Sequence, residues 1–199
     1  MINRRHFLLS ATAIALVGCV TDETLPPPLP EVGFAHLPPV ALNVSRLNIR
    51  SEYHAPLAPP NAEHRFPTPP ERAMMDWART RLNAAGSPPN MAVAEFVVDD
   101  ASVIETRLDK TKGFKGLLKY EPSERYDATI GATLSVTGGG DGSAGRVRVT
   151  ASHSVEVSEN ATLAERERQW FDMVEALMRN FNLQMEQQMA LHLGPWLLR

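Results

Sequence analysis

Tyr126-Asp127-Ala128-Thr129-Ile130-Gly131-Ala132-Thr133-Leu134-Ser135-Val136-Thr137 alternates apolar and polar residues along its whole length. After Gly138-Gly139-Gly140-Asp141-Gly142 the same pattern returns, with Val147, Val149, Ala151, His153, Val155 and Val157 in the apolar phase and Arg146, Arg148, Thr150, Ser152, Ser154 and Glu156 in the polar one. Two period-two runs around a glycine-rich turn specify an antiparallel hairpin with one dry and one wet face. The dry face needs a cover, and the remaining elements are read for what supplies it.

The segment after the hairpin is helical. Thr162 and Glu165 form a capping box. Leu163, Trp170, Val174, Leu177, Met178, Phe181, Met185 and Met189 then fall on one face, with Met173 off that stripe. Gly194-Pro195 stops the helix. A second helix precedes the hairpin. Thr68 is its expected N-cap, Pro69 its first helical residue and Glu71 the partner in a capping box. Met74, Trp77, Ala78, Leu82 and Ala85 form its apolar stripe, Arg72, Asp76, Arg79 and Arg81 occupy other faces, and Gly86 ends it.

Strands flank this helix. Val40 to Ile49 alternates, with a phase shift near Ser45-Arg46 that a bulge or burial on both faces would explain. Ser51 to Pro67 is a long proline-rich loop. Met91 to Val98 places Ala92, Ala94, Phe96 and Val98 on one face, and the pattern continues past a kink at Asp99-Asp100. Asp109 to Glu124 is polar and reads as a loop. The order is β-α-β-β-β-α. The expected fold is α+β: a two-layer sandwich of about four strands covered on one face by two helices, with a right-handed crossover between the first two strands.

The N-terminus carries an address. Asn3-Arg4-Arg5-His6 is basic, Phe7 to Val17 is apolar apart from Ser10 and Thr12, and Leu16-Val17-Gly18-Cys19 closes the run. This is the layout of a secretory signal. Its end is similar to the lipobox of bacterial lipoproteins, which implies cleavage before Cys19 and lipidation of its thiol. Arg4-Arg5-His6-Phe7-Leu8 also resembles, in part, the twin-arginine export motif. The expected organisation is a signal over 1–18, a lipidated proline-rich tether over 19–38 and one α+β domain over 39–199. The apolar run is short for a transmembrane helix, so the chain is expected to be anchored rather than spanning. Val20, in place of an aspartate after the cysteine, points to the outer membrane.

The composition excludes several classes. The chain has 199 residues and a formal net charge of −3. Loss of Arg4 and Arg5 with the signal makes it more acidic still, so nucleic acid is not an expected partner. Cys19 is the single cysteine, so no disulfide and no thiolate chemistry is expected. Gly138–Gly142 lacks the following helix and lysine of a phosphate loop. Asp99, Asp100, Glu105 and Asp109 read as a solvated strand end. His36, His54, His64, His153 and His192 show no metal-ligand spacing, and His153 reads as a core histidine. No catalytic residue, metal or cofactor is assigned.

The wet sheet face carries the candidate contact residues Arg146, Arg148, Thr129 and Thr133. Two arginines among hydroxyls suit an anionic headgroup or protein partner. Trp77-Ala78-Arg79-Thr80-Arg81-Leu82-Asn83-Ala84-Ala85-Gly86, followed by a strand and Asp100-Ala101-Ser102-Val103, resembles uncharacterised proteobacterial lipoproteins. The arrangement is similar to the LPS-assembly lipoprotein (LptE) family and to auxiliary lipoproteins of ABC transport systems. The resemblance implies a non-enzymatic periplasmic role, binding an envelope protein or lipid at the membrane. The alternative is a membrane-anchored hydrolase with a dispersed active site.

Overall fold

The computed structural model describes residues 29–30, 32–87, 92–108, 122–138 and 142–198. Cys19 and the signal lie outside these residues, as do residues 109–121 of the polar segment Asp109 to Glu124, whose last three residues begin β5. The described elements are β1 (Val40–Leu42), β2 (Arg46–Ser51), α1 (Pro70–Arg81), β3 (Leu82–Ala84), β4 (Val93–Arg107), β5 (Pro122–Thr137), β6 (Ala144–Ser158) and α2 (Leu163–His192).

β4, β5 and β6 form an antiparallel meander, and β2 joins β4 in parallel, giving the sheet order β2-β4-β5-β6. Both helices cover one face. The two-layer α+β fold is therefore the one the alternation specified. Phe96, Ile130, Leu134, Val147 and Val149 point into the layer, where Trp77, Leu177, Met178 and Phe181 meet them. Gly138 and Gly142 bracket the hairpin turn with positive φ, 81° and 70°, a backbone state open to glycine at little cost.

The phase shift near Ser45-Arg46 is neither a bulge nor double burial. It marks a change of sheet. β1 leaves the main sheet and pairs in parallel with β3, while β2 pairs with β4. The backbone crosses between them so tightly that a Cβ on Gly86 would lie 2.7 Å from the Val44 nitrogen. On its other side β1 meets the C-terminus, where Asn43 N–H donates to Trp196 O at 2.7 Å and Leu198 N–H to Ala41 O at 2.9 Å.

α1 departs from its expected limits at both ends. Pro69 is the N-cap and Pro70 the first helical residue, with no side-chain cap bond, so the Thr68–Glu71 box does not form. The helix stops at Arg81. Leu82 is buried either as the next helical position or as the first of a strand reading in, out, and β1 offers an open edge for the second choice. Arg81, expected on an outer face, is buried at 2% exposure. It faces α2, where Asn182 Oδ1 accepts from Arg81 Nε at 3.3 Å and from Trp77 Nε1 at 2.9 Å, and Glu186 pairs with the Arg81 guanidinium.

In α2 the capping box of Thr162 and Glu165 forms as expected. The buried arc is wider than the single stripe. Met173 is buried, because α2 packs on β6 below and α1 beside it, while Leu163 projects into solvent at 68% exposure.

The long loop after β2 is structural. Ala62 N–H donates to Val103 O and Glu105 N–H to Pro60 O, both at 2.9 Å, so the loop covers the β4 edge beyond the end of β2. Glu63 is buried in it and accepts from Tyr53 Oη at 2.8 Å and from Val103 N–H at 3.2 Å. Val32 and Phe34, in the segment read as the end of the tether, are buried in the core.

Burial of Glu63 favours its neutral form, but hydrogen bonds from backbone N–H groups, Tyr53 and Asn61 outweigh it and hold the carboxyl below the ordinary 4.5. The unfolded chain therefore binds this proton at higher pH than the folded one. Stability is full above the unfolded value and falls as pH drops through the folded one. Thermal melts between pH 7 and 3 should show this loss, and Glu63→Gln should lower the neutral melting temperature while flattening the acid slope. Asn182→Ala, which strands Trp77 Nε1 and Arg81 Nε while the Glu186 ion pair remains, should cost about 2–3 kcal/mol in denaturant unfolding.

Candidate functional site

The face of the sheet away from the helices has no covering element among the described residues. Its side chains are set by strand register. One row runs Asn48, Glu95, Ser135, Arg146 across the four strands, and the next runs Arg50, Val97, Thr133, Arg148. Asp100, Gly131 and Thr150 follow, then Ser102, Thr129 and Ser152, then Ile104, Asp127 and Ser154. Period-two alternation fixes which residues of β5 and β6 point here, so the four expected residues Thr129, Thr133, Arg146 and Arg148 do share one face. Thr133 and Arg148 are direct cross-strand neighbours. Thr129 stands apart from them, nearer the far end of the hairpin.

Asp99 follows Glu95 and Val97 onto this face by alternation, and the bulge between Val98 and Asp100 brings Asp100 onto it as well, opposite Gly131. Asp99 Oδ2 accepts from Thr133 Oγ1 at 2.7 Å and lies 3.3 Å from Arg148 Nε. Thr133 is buried at 3% exposure beneath this pair. Arg148 is therefore already partnered, and so is Arg50, whose Nε donates to Glu95 Oε1 at 2.9 Å and whose guanidinium also pairs with Glu52. These bonds, to Glu95 first and Glu52 second, push the Arg50 pKa further up. Arg146 is the arginine of this group with no ion pair to a described residue. It lines a shallow concavity of about 470 Å³ with Arg50, Glu95, Asp99, Thr133 and Ser135.

Farther along, Asp127 accepts from Ser154 Oγ at 2.6 Å and from Arg125 Nε at 2.9 Å. The Ser154 bond, then Arg125, holds its carboxyl below the usual range. The face is thus broad, hydroxyl-rich and internally paired in charge. It can exchange hydrogen bonds with a polar partner. It does not converge on one reacting atom.

The acids once grouped as a strand end are dispersed. Asp100 accepts from Ser102 N–H at 3.0 Å, and Glu105 pairs with Arg65 on the other face. Among the described residues no three His, Cys, Asp or Glu side chains lie close enough to hold a metal ion. His153 is half-buried, opposite Ala128.

The sequence reading missed one charged corner on the covered side. Phe66 stacks on Trp170 with centroids 4.7 Å apart, and the Arg65 guanidinium lies 5.6 Å from the Trp170 ring. Tyr126 Oη donates to Glu124 Oε2 at 2.8 Å, and Arg166 pairs with the same carboxylate. Burial, then Glu124, pushes the Tyr126 hydroxyl up to about 12. Trp170 and Tyr126 are both buried, so this corner closes the core and offers no open site.

No protein-family model matches the chain, and no curated protein matches it. Solved structures are similar at low scores. Rare lipoprotein B from Shewanella oneidensis is 9% identical, the match covering 72% of this chain and 98% of that one with a TM-score of 0.30. A Xanthomonas campestris protein of the DUF330 family model is 12% identical, covering 75% and 91% with a TM-score of 0.29. Neither likeness carries a residue or an activity over to this chain.

Asp99→Asn removes the charge that Arg148 engages and weakens the bond to buried Thr133. It should lower stability by about 1–2 kcal/mol, read as a shift in denaturant midpoint. Arg148→Ala, at an exposed partner, should change it by less than about 1 kcal/mol.

Proposed function

We propose that this chain is a lipid-anchored, non-catalytic binding or assembly accessory protein on the periplasmic side of a bacterial membrane, the outer membrane in preference to the inner. The observation that carries the reading is the open sheet face. Thr129 and Ser135 of β5, flanked by Arg146 and Arg148 over the buried Thr133, form a wide polar surface, and Arg146 makes no ion pair to a described residue. A broad face of this kind suits contact with an envelope protein or a lipid headgroup layer better than enclosure of a small substrate. The anchor at Cys19 supplies the location, and the segment after it supplies reach from the membrane.

The hydrolase alternative needs a nucleophile and a base that converge. Asp99 and Asp127, the acids nearest the open-face hydroxyls, are each held by hydrogen bonds and an arginine. Among the described residues no specific arrangement favours that alternative.

Fractionation tests the anchor. The wild-type chain should sediment with membranes, and Cys19→Ala should appear in the soluble fraction. A Cys19→Ala chain that still sediments would defeat the anchor reading. Crosslinking in cells followed by affinity capture tests the binding role, and recovery of no envelope protein or lipid would defeat it.

A further inference from the structure

The two edges of the main sheet are finished differently. On one side β2 pairs with β4, and past the bulge the loop at Pro60–Ala62 takes over the β4 edge through backbone hydrogen bonds. On the other side β6 runs for 15 residues, and among the described residues nothing pairs with its outer edge. β6 contains no proline. Its pairing with β5 has no register shift from Glu124–Val157 to Thr137–Ala144. A long edge with neither proline nor bulge lacks two of the devices that block strand addition, although this chain covers its opposite edge with a loop.

The side chains of β6 select what adds to it. Arg146 and Glu156 sit near its two ends on the open face. Neither makes an ion pair or hydrogen bond to a described residue, whereas Arg50, Arg125 and Arg148 are all engaged.

We propose that β6 pairs antiparallel with β6 of a second copy of this chain, joining the two sheets across a two-fold axis at Ala151. Full overlap of Ala144–Ser158 with itself places Ala151 opposite Ala151. That same register places Arg146 opposite Glu156 of the second copy, twice per dimer, and opposite charges directly across a strand pair are favourable. On the covered face Val147 meets Val155 and Val149 meets His153, so the half-exposed Val155 and His153 lose solvent contact. A slip of one cross-strand pair in either direction sets Arg146 against Ser154 or Ser158 and forfeits both ion pairs. An isologous contact of this kind closes on itself and stops at two copies. The inference concerns the edge of β6 and does not rest on the proposed function.

Oxidative crosslinking of the full chain in its membranes tests it. In this register Thr150 lies opposite Ser152 of the second copy, at the roughly 5 Å Cα separation that suits a disulfide. Thr150→Cys/Ser152→Cys should give a dimer band on a non-reducing gel. The chain without added cysteines is the blank, since Cys19 is its only thiol. Adding Arg146→Glu, or Glu156→Arg, should reduce the band on the order of tenfold. Combining the two should restore it, because the charges are exchanged. No dimer band, a failure of the combined variant to restore it, or a disulfide only to a different protein would overturn the proposal.

Discussion

One side-chain amide joins the two helices to each other. Asn182 of α2 accepts from the indole of Trp77 and the guanidinium of Arg81, both on α1, and its own amide donates to Glu186 at 3.2 Å. All of this is in or at the edge of the core, where an unpaired donor is expensive and a paired one is directional. Apolar packing alone would let α1 slide along α2. The Asn182 node sets a single relative position, and the ring contacts of Trp77 with Phe96 and Phe181 then register the helix pair against the sheet. Arg81 is the last helical residue of α1, and from there the chain turns directly into β3.

With both helices held on one side, the other face of the sheet is left to polar groups. Its charges are largely neutralised in place, Arg50 by Glu95 and Glu52, Arg148 by Asp99, Arg125 by Asp127. Exposed pairs of this kind contribute little to stability. They keep the face hydrated and orient its hydroxyls. Among the described residues of β6 they leave over Arg146 at one end and Glu156 at the other.

Much of the fold is legible in the sequence because period-two and helical periodicities are local. The β5–β6 hairpin, the capping box of α2 and the side chains sharing each face follow from spacing alone. The departures arise where long-range contacts decide between two locally acceptable choices. Leu82 fits a helix or a strand, and the β1 edge decides. Arg81 looks like a surface residue until Asn182 is placed beside it. The phase shift at Ser45-Arg46 is visible, but its meaning, a change of sheet, depends on β3. Of the candidate site, Thr129, Thr133, Arg146 and Arg148 could be placed on one face by alternation. Asp100 could not, because the bulge that puts it on the same face as Asp99 is a property of the paired strands.

On the function proposed above, the open sheet face is the contact surface and the helical layer is not. Site-specific photo-crosslinking in cells separates the two. A photoreactive residue at Thr129 or Ser135, in the middle of the open face, is predicted to capture an envelope protein or lipid. The same residue at Arg168 or Glu175, on the exposed side of α2, is predicted to capture none. Adducts from α2 alone, or equal adducts from both surfaces, would rule out the open face as the contact surface.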